Sequence, residues 1–113
     1  MGEALKGTTV AIGNTATTIL TCPVGGSIVI QSLSVGNVDG AADCAVTVTH
    51  NRNGAGDLNF ITPLNVEIGK AVVVYGGAAG RCFLCDNGTP DVLKLTAAVA
   101  GDLVADVAYI ERT

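Results

Sequence analysis

The sequence predicts an all-β protein, a single antiparallel β-sandwich or jelly-roll-like barrel of about eight short strands. Three observations carry that expectation. Apolar and polar residues alternate with a period of two along most of the chain. Turn signals recur at roughly ten-residue spacing. Gly, Ala, Val and Thr supply about half of the residues, which suits strands with small side chains and many turns.

The elements follow in chain order. Leu5–Ile12 and Thr17–Cys22 are short candidates punctuated by Gly7 and Gly13. Pro23-Val24-Gly25-Gly26 then turns the chain into a long strand, Ser27 to Asn37, with Val29, Leu33 and Val35 aligned. Val38-Asp39-Gly40 is the next turn. Cys44 to His50 alternates cleanly, with Cys44, Val46, Val48 and His50 on one face and Ala45, Thr47 and Thr49 on the other. Asn53-Gly54, Gly76-Gly77, Asn87-Gly88 and Ala100-Gly101-Asp102 separate the later candidates. These are Leu58–Thr62, Lys70–Tyr75, Cys82–Cys85, the row Leu93, Leu95, Ala97, and the row Leu103, Ala105, Val107, Tyr109. Helix signals are nearly absent, because the Ala-rich Thr96–Ala100 is short and stops at Gly101. The 113 residues read as one domain, 1–113, with residues 1–13 an extended arm or an exchanged strand.

Charge and patterning narrow the function classes. The net charge of −4 with no basic cluster disfavours a nucleic-acid partner. No run approaches the ~18 apolar residues of a spanning helix, so no membrane partner is expected. The N-terminus lacks a basic segment followed by an apolar one, which points to synthesis in a cytoplasm. Lys6 stands where myristoylation after Met1-Gly2 needs Ser or Thr. Asn87-Gly88-Thr89 has the glycosylation pattern but, without an export signal, reads as a turn.

No catalytic residue, cofactor or metal site is expected. The single histidine, His50, lies at a strand end before the loop Asn51-Arg52-Asn53-Gly54, and a hydrogen bond to that loop is its simplest role. Ser32 and Ser34 lack a nucleophile-elbow motif. The acidic residues Asp39, Asp43, Asp57, Asp86, Asp91 and Asp102 fall at turns, where Asp caps backbone N–H groups. Four aromatic residues, Phe60, Tyr75, Phe83 and Tyr109, are too dispersed for a sugar-stacking cleft.

The four cysteines are the most informative feature. Cys82-Phe83-Leu84-Cys85 has zinc-knuckle spacing, but its interior reads as strand, where residues three apart face opposite ways. Those two thiols then neither chelate together nor bridge each other. Cys22 and Cys44 lie beyond opposite ends of Ser27–Asn37, a span of roughly 33 Å against a disulfide limit of about 7 Å. Cys44 sits in the clearest inward row and is expected to be a buried thiol. Cys22, with Cys82 or Cys85, is the candidate for disulfides between chains in an oxidising medium.

The runs Thr17-Thr18-Ile19-Leu20-Thr21-Cys22-Pro23-Val24-Gly25 and Ser32-Leu33-Ser34-Val35-Gly36-Asn37-Val38-Asp39-Gly40 resemble small virion structural proteins of tailed bacteriophages. So do Leu93-Lys94-Leu95-Thr96-Ala97, Ala100-Gly101-Asp102-Leu103 and Tyr109-Ile110-Glu111 near the end. The resemblance covers most of the chain and rests on turns and strand edges. Two places depart from it: Cys82 and Cys85 replace aliphatic or polar strand residues, and Asn51–Asp57 lacks the family's Trp or acidic pattern. The resemblance implies a non-enzymatic virion protein. The leading expectation is a capsid decoration (cement) protein on the major capsid protein lattice; the alternatives are a neck, collar or tail-fibre component. A receptor- or carbohydrate-binding module is a more distant alternative. Apolar residues on both faces of 71–75 and 103–110 predict a homo-oligomer, and the resemblance implies a trimer.

Overall fold

The computed structural model describes residues 3–39, 41–76 and 82–113. Met1-Gly2, Gly40 and Gly77, invoked above for an N-terminal signal and two turns, lie outside the described residues, as does the side chain of Phe60. Among the described residues nine strands appear: β1 (Glu3–Ile12), β2 (Thr17–Thr21), β3 (Ser27–Asn37), β4 (Cys44–Asn51), β5 (Asp57–Val66), β6 (Ala71–Tyr75), β7 (Cys82–Cys85), β8 (Val92–Ala97) and β9 (Leu103–Arg112). No helix occurs among the described residues.

The strands form two antiparallel sheets. The first has the order β1-β9-β3-β6, with β7 also on β3, and the second has the order β2-β8-β4-β5. β6 pairs with Leu33–Gly36 and β7 with Ser27–Ile30, so the two lie end to end along one edge of β3. Together they line that edge in two pieces. Counted as one edge there are eight strands in the two interleaved sheets of a jelly roll.

Alternation explains the layers. Ile28, Ile30, Leu33 and Val35 of the first sheet meet Val46, Val48, Leu93 and Leu95 of the second, all fully buried. Each such side chain stabilises the fold by about 1.5–3 kcal/mol relative to exposure. Leu103, Ala105 and Val107 add the inward row of β9.

Two expected facings are corrected by register shifts. Strict alternation places Tyr75 opposite Val74. A shift between Leu33 and Ser34 instead inserts Val74 as an extra residue, and both Val74 and Tyr75 turn inward. Thr49 is expected outward. The β4–β5 register shifts beside it and Thr49 is buried.

Gly76 follows the end of β6. It has φ 125°, and a Cβ there would sit 3.1 Å from the Gln31 carbonyl oxygen, so a side chain would strain the departure from β3.

Candidate functional site

Polar side chains converge at one end of the sandwich. Near the end of β4, His50 is buried on its inward row, and the following loop brings Arg52 and Asn53 back over the same end. β6 delivers Tyr75 and β7 delivers Cys82 from the opposite sheet. Asp91, between β7 and β8, is 3% exposed and completes the group.

Asp91 is the hub. Its Oδ1 accepts the Asn53 N–H at 2.8 Å; its Oδ2 accepts the Cys85 N–H at 3.1 Å and Arg52 Nη1 at 3.0 Å. Burial pushes the carboxyl up, but the two N–H donors and the guanidinium outweigh it and hold Asp91 below the usual carboxylate range. Its backbone is also engaged. Asp91 O accepts the Cys22 N–H at 2.9 Å, and Asp91 N–H donates to Cys85 O at 3.0 Å.

Arg52 carries the network to the other sheet. Nη1 donates also to the Phe83 carbonyl, and Nη2 lies 3.3 Å from His50 Nδ1. Guanidinium only donates, so Nδ1 accepts and the proton sits on Nε2. That N–H donates to Tyr75 Oη at 2.7 Å. The Tyr75 hydroxyl in turn bonds to the Cys82 thiol.

The electrostatics keep this chain neutral apart from Arg52 and Asp91. Burial, and then Arg52, hold His50 below the ordinary histidine value. Burial pushes Cys82 up despite Arg52, and burial pushes Tyr75 well above the usual phenol. Cys82 Sγ lies 3.9 Å from His50 Nε2, a pairing that suggests a cysteine nucleophile. Activation needs a basic His lone pair facing a thiol of lowered pKa. Here the facing nitrogen carries its proton to Tyr75 and the thiol is raised. The arrangement holds β6 and β7 onto the end of β4. Among the described residues no three His, Cys, Asp or Glu side chains converge to hold a metal ion.

The sequence reading placed His50 against its loop. Arg52 supplies that contact, and Tyr75 adds one across the sheets that no spacing announced. Asp91 was one of several turn aspartates, and nothing in the sequence separates it from the others.

The thiols are distributed unevenly. Cys44 is 3% exposed. Cys22 is 2% exposed and Cys82 4%, whereas Cys85 is half-buried. Core packing closes off Cys22, the thiol expected to reach a neighbour, and its Sγ donates to Gly26 O at 3.3 Å. Cys82 and Cys85 do face opposite ways; Cys82 takes the core side, and Cys85 Sγ lies 3.6 Å from Asp91 Oδ2. All four cysteines are free.

A second feature lies on the outer face of the first sheet. Leu5 pairs with Ile110, Ile110 with Val29, and Val29 with Phe83. Directly opposed residues share a face. The four therefore form an apolar row across four strands. Leu5 is 76% exposed and Phe83 50%. Three rows further along the same face, Ala11, Val104, Gly36 and Ala71 form a small, uncharged row.

No protein-family model and no curated protein matches the chain. A solved structure shares its fold. The chain is similar to a subunit of Bacillus endospore appendages, described as a novel family of disulfide-linked pili. The TM-score is 0.58 at 13% identity, over 99% of this chain and 87% of that one. It is also similar to a chain from the virus-like particle of the giant freshwater prawn Macrobrachium rosenbergii extra small virus. There the TM-score is 0.46 at 17% identity, over 98% of this chain and 79% of that one. At such identities the pilus likeness is one of fold: a two-sheet antiparallel sandwich.

Proposed function

We propose that this chain is a non-enzymatic structural subunit of a tailed-phage virion, made in the host bacterial cytoplasm and assembled as a capsid decoration protein. The observation that carries the reading is the apolar row Leu5, Ile110, Val29 and Phe83 on an outer sheet face. A solitary sandwich exposes polar residues there, whereas a subunit covered in an assembly does not. The convergent polar groups add support, because they are engaged in holding the sheets together. The pilus subunit shows that this fold serves in an assembled structure elsewhere.

In this reading the major capsid protein lattice covers the first sheet's outer face, and copies of the chain associate with one another. The trimer rests on the sequence resemblance alone. A disulfide between chains would use Cys85, the thiol that reaches the surface, with dissolved oxygen as oxidant. A sugar-binding role gains nothing: Tyr75 is buried and Phe83 is flanked by aliphatic residues.

The test is to locate and count the chain in purified particles by cryo-electron microscopy and quantitative mass spectrometry. Copy number scaling with the capsid lattice supports decoration. A count fixed by a single symmetry axis moves the chain to the neck or tail. Absence from particles overturns the reading. Non-reducing electrophoresis of the same particles, with free thiols blocked first, reads the disulfide directly.

A further inference from the structure

We infer that the free edge of β1 is a pairing surface for a second copy of this chain, β1 against β1 in antiparallel order about a two-fold axis. The contact is a property of the subunit and does not depend on the particle reading.

Among the described residues four strand edges bound the two sheets, and three of them are poor templates. β2 has only five residues and a register shift between Thr18 and Leu20. β5 has two shifts against β4 and contains Pro63, which has no N–H to offer. The β6–β7 edge is made of two short strands, of five and four residues, with a register shift beside Leu33. Short, bulged, proline-bearing or interrupted edges are how sheets avoid pairing with other molecules.

β1 has none of these defences. All ten residues pair with β9 in unbroken register, from Glu3 opposite Arg112 to Ile12 opposite Leu103. Its other side presents unpaired N–H and C=O groups over roughly 33 Å. Charge on an edge deters pairing, but the two charges here are already engaged. Glu3 meets Arg112 at 2.6 Å and Lys6 meets Glu111 at 3.3 Å. Gly7 to Ile12 carries no charge and no proline.

The occupant follows from what a match requires. An added strand must offer an equally long and regular free edge. Among the described strands only β1 does so. An isologous contact must also be complementary to itself. If the sheets run on with their outer faces on one side, the two-fold falls at Gly7 or Thr8. With Thr8 on the axis, Leu5 faces Ala11 of the other copy and Lys6 faces its Val10. Neither register opposes like charges. The apolar row of one copy then continues into the small-residue row of the other, giving one sheet across both. Such a contact closes at two copies, not three.

Sedimentation and amide hydrogen exchange on the purified full chain test this. The expected result is a concentration-dependent two-copy species in which every β1 amide from Lys6 to Val10 is protected. In a lone subunit only alternate β1 amides are bonded. A mixed-label sample should give intermolecular proton contacts from β1 to β1. The double variant Thr9→Lys/Ala11→Lys, at two exposed side chains, should weaken association about tenfold with an unchanged melting temperature. A monomer at all concentrations overturns the inference. So does an oligomer whose β1 amides still exchange on alternate residues, or contacts from β1 to any other strand of the second copy. The wild-type exchange pattern decides the matter even if the variant misfolds.

Discussion

Two regions of this molecule invert the usual inside–outside rule, in opposite directions. At one end of the sandwich His50, Arg52, Tyr75, Cys82 and Asp91 bring hydrogen-bonding groups into the interior. On the outer face of the first sheet, Leu5, Ile110, Val29 and Phe83 bring apolar groups to the surface. Buried polar groups are retained only when satisfied, and nearly every donor and acceptor in the first region has a partner within the chain. The exposed apolar groups touch one another across strands, yet Leu5 and Phe83 remain 76% and 50% exposed. The first region therefore acts inside the subunit, joining two sheets. In the proposed reading the second acts between molecules.

The largest expected effect breaks the first region. Asp91→Ala removes the acceptor for the Asn53 and Cys85 N–H groups and for Arg52. Unfolding stability should fall by about 3 kcal/mol, read as a lower denaturant midpoint. Self-association, argued from the distant β1 edge, should survive wherever the variant remains folded.

Tyr75→Phe sharpens the contrast at lower cost. The ring still packs, but His50 Nε2–H loses its 2.7 Å acceptor. A loss of about 1 kcal/mol is expected from the same melt, with β6 amides exchanging faster than those of β9.

Acid should act on the polar region in two steps. His50 is held below its ordinary value of 6.5, so the unfolded chain binds its proton more readily. Stability then declines as pH falls below about 6.5 and rises again as pH returns. Asp91 is also held down, so its contribution is present above the unfolded carboxylate range and lost as pH falls through its folded value. Denaturant melts from pH 8 to pH 3 should show a shallow decline followed by a steeper one. His50→Gln should remove the shallow part.

The smallest effect on stability belongs to the apolar row. Leu5→Ser at a 76% exposed position should change the melt by less than about 0.5 kcal/mol. Association measured by sedimentation should nonetheless weaken. A large stability loss there would mean that the row packs within the subunit after all.

The sequence determined the fold class through short-range geometry. Alternation places β3 at Ser27–Asn37 and β7 at Cys82–Cys85, the bounds observed, because side chains on a pleated strand must alternate faces. The turn signals at Pro23–Gly26 and Ala100–Asp102 separate neighbours for the same local reason. Strand ends were less legible. β5 runs to Val66, beyond the expected Thr62, since an edge strand tolerates Pro63. Tyr75 and Thr49 turn inward because bulges, set by cross-strand register, break the alternation that the sequence displays. The polar cluster was not legible as a cluster: Arg52 and Asp91 lie 39 residues apart, and only the return of both sheets to one end brings them within 3.0 Å. The same holds for the outer row, whose members come from β1, β9, β3 and β7. Sequence specifies which residues can alternate, turn or cap, because those properties reside in a residue and its neighbours. Which of them meet is decided by strand order and register, which exist only once the sheets have paired.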